Sequence, residues 1–167
     1  MNRTLPHAGA DPAAASRALA PPPADPAALR AWTDEVIRIS PFARWIGTRV
    51  GDIRPGHVVL QLPLRDELRQ HHGQAHGAVV GYLADTACSW AAATLVGDVV
   101  TSEYKINLLA PARGDMLEAI GEVVRAGRRQ VVARADVYAL DGARRELVAT
   151  ALATIATVRV LEDGHGR

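Results

Sequence analysis

The sequence predicts an α+β fold, a curved antiparallel sheet wrapped around one long central helix. Three observations lead there. The run from Gly77 to Val96 is apolar or small at nearly every position, enough for a helix about 30 Å long. Strand-like runs flank it, two before and four after, and their short turns make antiparallel neighbours. A helix that is apolar around most of its circumference must be covered on most sides, and a curved sheet is the economical cover.

The first 28 residues are rich in Ala and Pro, as in ALAPPPADPAA, and hold no continuous apolar core of the kind a secretory signal needs. They read as a flexible tail, followed by a single domain over 29–160 and a disordered polar end over 161–167. From Pro26 to Ser40, Leu29, Trp32, Val36 and Ile37 recur at helical spacing, with Asp25 as N-cap and Pro26 at the first helical position. PFARWIG reads as a connector. Thr48–Ile53 and His57–Leu62 read as strands around the turn signal Arg54-Pro55-Gly56, and Pro63 ends the second or sets it at an edge. Residues 65–75 are polar and irregular. The helix is expected over 76–96, stopped by Gly97-Asp98.

Strands follow to the end. Val99–Leu109 alternates, with Tyr104, Ile106 and Leu108 on one face and Glu103, Lys105 and Asn107 on the other. Met116–Arg125 comes next, then a turn at Ala126-Gly127. Gln130–Leu140 sets Val131, Ala133, Ala135 and Val137 against Arg134, Asp136 and Tyr138. Asp141-Gly142 is a hairpin signal, and Glu146–Val160 is a long Thr-, Val- and Ile-rich last strand.

Bulk properties exclude several functions. A net charge of +1 and a hydrophobic fraction of 49% give no electrostatic case for nucleic acid. Residues 77–96 have the length of a membrane span. Their Gly, Ala, Ser and Thr content, the charge on Asp85 and the lack of close basic flanks point instead to a core helix, with no membrane partner. The single cysteine, Cys88, excludes an internal disulfide framework and is compatible with a cytoplasmic location.

Asp85 is the one charge in the apolar run. An unpaired buried carboxylate costs several kcal/mol or shifts its pKa until it is neutral. Either a partner satisfies it or it does chemistry. Gly77, Gly81 and Asp85 fall at i, i+4 and i+8, one slanted row on the helix. Gly81 in the helix interior costs about 1 kcal/mol relative to Ala, which makes sense where a packed backbone or a ligand comes close. His76-Gly77 opens the helix, where free N–H groups and the positive end of the dipole favour an anion or oxyanion. A carbonyl at the Gly77 N–H, with a carboxylate two turns along the same side, suits acyl transfer.

QHHGQAHGAVVGYLADTACSWAA followed by TSEYKINLLAPARGD resembles the hotdog-fold acyl-CoA thioesterases of the phenylacetic-acid-degradation (PaaI-like) type, from about Ile46 to Val158. The resemblance implies Asp85 as catalytic base or nucleophile, Gly77 as the residue whose N–H polarises the thioester carbonyl, and His76 before it in the motif. Ala78 stands where the family usually has Gly. Gln70 stands where many members have an Asn that positions water or carbonyl, and it is one methylene longer. Thr101 matches a water-orienting Ser or Thr contributed by a second protomer. The resemblance further implies an active site at a homodimer interface, commonly within a homotetramer, and an acyl-CoA substrate with a medium-length or aromatic acyl group. No metal or organic cofactor is implied. Arg128 and Arg129 are candidates for the CoA phosphates by their chemistry.

Plainer readings stand beside these. Asp85 can be a structural carboxylate, and Gly77 and Gly81 can serve helix–sheet packing. His71, His72 and His76 lack metal-site spacing, and Cys88 reads as a small hydrophobe. Tyr82 and Trp90 read as core or acyl-pocket lining, and the arginine pair as a solvated turn. Two rival functions remain open: a non-catalytic acyl-CoA-binding or dimerisation module, and a hotdog enoyl-CoA hydratase. The hydratase is disfavoured because no His follows Asp85 until His165.

Overall fold

The structure, a computed structural model, describes residues 20–158. Most of the tail read over 1–28, and all of the end read over 161–167, lie outside those residues. Three α-helices and six strands follow in the order α1 (Pro26–Ile39), α2 (Pro41–Ile46), β1 (Arg49–Arg54), β2 (His57–Pro63), α3 (Gly77–Val96), β3 (Val99–Leu108), β4 (Met116–Ala126), β5 (Gln130–Asp141) and β6 (Arg144–Thr157), with one 3-10 turn at Asp66–Leu68. The strands form one antiparallel sheet in the order β1-β2-β4-β5-β6-β3. This is the architecture the sequence predicts. The expected connector PFARWIG is instead the short helix α2, begun by Pro41 and closed by Gly47 at φ 94°.

The core lies between α3 and the concave face of the sheet. Val80, Leu83, Ala84, Ala87, Cys88 and Ala91 of α3 are buried, as are Val131, Ala133, Ala135 and Val137 of β5. Although α3 is long and apolar enough to cross a membrane, its apolar side is used against its own sheet. Small residues set how close the two layers come. A Cβ on Gly121 of β4 would lie 2.2 Å from the Ala87 carbonyl oxygen, so the helix rests on bare backbone there.

α1 is fastened to the sheet's β1 edge. Asp25 caps it by accepting from the Ala28 N–H at 2.8 Å. Arg30 donates to the Gly51 and Val50 carbonyls at 2.7 and 2.8 Å, and Leu29 is fully buried. The chain just before α1 is held too: the Trp32 indole N–H donates to the Ala20 carbonyl at 2.9 Å.

One irregularity positions the site. In the β3–β6 ladder Thr101 pairs with Ile155, but Glu103 pairs with Thr154, so Ser102 is an extra residue. Strict alternation from Tyr104, Ile106 and Leu108 would send Thr101 to the opposite face. The bulge returns it to the helix side, opposite the buried Ile155.

Candidate active site

The row Gly77–Gly81–Asp85 lies under β3. The Tyr104 hydroxyl sits 3.2 Å from where a Gly81 Cβ would be, and Leu108 Cδ1 sits 3.5 Å from the same position at Gly77. What comes close at Gly81 is neither the backbone nor the ligand expected there but a side chain, the tyrosine hydroxyl of the chain's own edge strand. Farther along, the Thr101 hydroxyl donates to Asp85 Oδ1 at 2.8 Å. This bond is made within one chain, whereas the resemblance implied Thr101 of a second protomer. The bulge at Ser102 is the physical reason, since it turns Thr101 onto the helix.

Asp85 is half-buried. Burial raises its pKa above the ordinary value of 3.8, and the bond from Thr101, which favours the ionised form, lowers it part of the way back. Among the described residues the partner asked for by the sequence is thus a single hydroxyl, which leaves Asp85 Oδ2 for other use. Cys88, one turn on, is fully buried, and its thiol is pushed up to about 12 by burial and by the Asp85 charge, so it supplies no thiolate near neutral pH.

At the helix start the His76 imidazole is the N-cap, its Nδ1 accepting from the Ala78 N–H at 3.0 Å. The His76 carbonyl takes the Val79 and Val80 N–H groups. Among the described residues nothing accepts from the Gly77 N–H. Gly77 lines a cleft of about 290 Å³ together with Gln70, Leu108 and Pro111 among others. The structure therefore joins Gln70, His76, Ala78 and Gly77 at one end of α3. It joins Asp85 and Thr101 at another place, beside a partly open, mostly apolar cavity of about 180 Å³ bounded by α1, α3 and the start of β3.

The two places are not one site within a single chain. Eight residues of helix separate Gly77 from Asp85, about 12 Å along the axis. Helical side chains lean toward the N-terminus, but an aspartate is short and recovers only a few ångströms of that distance. One thioester carbonyl cannot meet both groups of the same chain.

The remaining candidates lie elsewhere. Tyr82 lies 100° round the helix from Gly81, and it serves packing: its hydroxyl is 2.8 Å from Thr48 Oγ1 and its ring meets Phe42 edge-on at 4.9 Å. It lines neither cavity. Arg128 and Arg129 are exposed in the β4–β5 turn, far from Gly77. The turn lies at the Val99 end of the sheet, because the Arg129 carbonyl accepts from the Thr157 N–H and Thr157 pairs with Val99. Sequence reasoning did not single out Tyr104 or Ser89. Ser89 is the next member of the Gly77–Gly81–Asp85 row, so the spacing carried the signal.

Comparison with known proteins fits this arrangement. The Thioesterase superfamily profile matches residues 72–146. A thioesterase family protein from Silicibacter pomeroyi is 34% identical over 75% of this chain and 96% of its own, with a TM-score of 0.73. A variant of the phenylacetic acid degradation protein PaaI from Thermus thermophilus is 28% identical over 71% of this chain and 100% of its own, with a TM-score of 0.63. A Saccharolobus solfataricus protein that carries an esterase name is 33% identical over 128 residues, 75% of this chain and 83% of its own. About a third of the residues are shared with the Silicibacter and Saccharolobus proteins, over 96% and 83% of their lengths, and with the same helix-in-sheet scaffold this places the chain in the hotdog-fold thioesterase superfamily, PaaI-like in type, as a hydrolase of thioesters.

Proposed function

We propose that the chain hydrolyses acyl-CoA thioesters with a medium-length or aromatic acyl group, in an active site shared between two copies. One observation carries the reading: a lone carboxylate in an apolar core helix, held by a single hydroxyl beside an apolar cavity. The axial distance from Gly77 to Asp85 supports the sharing. A two-fold axis that runs two α3 helices antiparallel would set Gly77 of one protomer beside Asp85 of the other. β3 is a sheet edge, and its exposed Val100, Tyr104 and Leu108 offer apolar surface to a second copy.

In this site the Gly77 N–H polarises the thioester carbonyl and Gln70 and Thr101 orient the attacking water. Asp85 takes a proton from that water as its oxygen bonds to the carbonyl carbon. The oxyanion collapses, the C–S bond breaks, and the proton returns from Asp85 to the departing CoA sulfur. As a nucleophile, Asp85 would instead attack the carbonyl carbon and expel the CoA thiolate, leaving an anhydride for water to open. Arg128 and Arg129 are the cations offered to the CoA phosphates.

Thiol release from acetyl-, octanoyl-, palmitoyl- and phenylacetyl-CoA, with sedimentation of the same sample, tests the reading. Turnover of octanoyl or phenylacetyl thioester by a dimer or tetramer is expected. A fully active monomer would refute the shared site. Thr101→Val should lower kcat/KM by about tenfold and move the acid limb of its pH profile to higher pH, because the bond favouring the ionised carboxylate is gone. A limb left in place would separate Thr101 from Asp85 ionisation.

A further inference from the structure

We propose that α1 closes the acyl-binding end of this site and that Trp32 sets the limit on acyl length, an inference that rests on the thioesterase reading above. The cavity beside the Asp85–Thr101 pair has Thr101 in its wall, so it starts where the reacting carbonyl must be. Its other walls include Trp90 and Ala93 of α3, Asp98 and Val99 at the start of β3, and Trp32 and Val36 of α1. An acyl chain leaving the carbonyl on the Asp85 side therefore enters a mostly apolar chamber and runs toward α1. Asp98 in the lining is an acid, which disfavours a carboxylate tail, and the aromatic walls favour a flat ring.

Size narrows the class. A protein cavity of about 150 Å³ holds one benzene. At about 180 Å³, this chamber holds one six-membered ring with a linker of one or two carbons, or a compact aliphatic group of similar bulk. Palmitoyl does not fit without opening the far wall. That wall is fixed. The Trp32 indole is tied to the Ala20 carbonyl, and Arg30 one turn-face away ties α1 to β1 through two carbonyls. Thr33, beside Trp32, is buried and its hydroxyl donates to the Leu29 carbonyl at 2.9 Å. The limit is thus built by a helix that precedes the sheet in sequence, and it can vary without touching the reacting groups.

The test measures kcat/KM across acetyl-, butanoyl-, octanoyl-, dodecanoyl-, palmitoyl-, benzoyl- and phenylacetyl-CoA for wild type, Trp32→Ala, Trp32→Phe and Val36→Phe. Wild type should favour phenylacetyl over palmitoyl by at least a hundredfold. Trp32→Ala should raise the dodecanoyl-to-phenylacetyl ratio tenfold or more, with Trp32→Phe between, so the proposal does not depend on the alanine variant folding. Val36→Phe, which fills the chamber, should shift preference toward acetyl. An active wild type whose acyl profile survives every folded substitution overturns this inference and leaves the thioesterase reading standing. A wild type inactive on the whole series overturns both.

Discussion

Replacing Asp85 by Asn should lower kcat/KM for the best thioester by about 10³-fold, or about 4 kcal/mol of transition-state stabilisation, while the protein stays folded. Asn keeps the shape and can still accept the Thr101 hydroxyl, but it can neither take a proton from water nor form an anhydride. The pH dependence has a definite sign. Activity needs the ionised carboxylate, so kcat/KM falls as pH drops through the Asp85 pKa, which burial has raised. Stability runs the other way. A carboxyl whose folded pKa lies above its unfolded value contributes stability that is fully present below the unfolded value and lost as pH rises through the folded one. At pH 7 the wild type carries that deficit and Asp85→Asn does not, so the variant should unfold at equal or higher urea concentration. A folded variant that retains near-native turnover would return Asp85 to a structural role.

Gly121→Ala should cost about 3 kcal/mol of stability, the upper part of the range for overpacking and a large share of what holds a domain together. The new methyl would stand 2.2 Å from the Ala87 carbonyl oxygen and 2.5 Å from its carbon. Both are backbone atoms of α3, so no side chain can turn aside and the helix itself must lift from β4. The urea midpoint should drop with little change in slope. A loss under 0.5 kcal/mol would mean that the helix floats on the sheet. Because Ala87 is two residues from Asp85, the surviving folded fraction should also be slow on thioesters.

Much of this was legible in the sequence, and the limits have physical causes. The strands and α3 lie where periodicity, Gly and Pro put them, because those signals are local. Even the two-residue loop at Pro55-Gly56, with Gly56 at φ 76°, follows from residue type. α2 was missed because six residues carry too little pattern to separate a helix from a connector. The row Gly77–Gly81–Asp85 could be read from spacing alone, and so could the oxyanion donor at its head. Spacing around the helix does not carry distance along it, and about 12 Å of axis sets Gly77 apart from Asp85 within one chain. Tyr82 and Trp32 show the remaining gap. Both are aromatic residues on helices near the site, and only tertiary packing tells that the first braces α2 while the second closes a chamber.

Ser102 has a consequence of its own. A strand is a message of period two, and one inserted letter reverses the phase of everything on its far side. Upstream of Ser102, β3 is written in the opposite frame from the stretch that carries Tyr104, Ile106 and Leu108. Thr101 reaches Asp85 by virtue of a count, one residue more than the ladder needs, and not by virtue of its side chain alone. A related chain with the same threonine and an unbroken count would carry the same letter facing away from the acid.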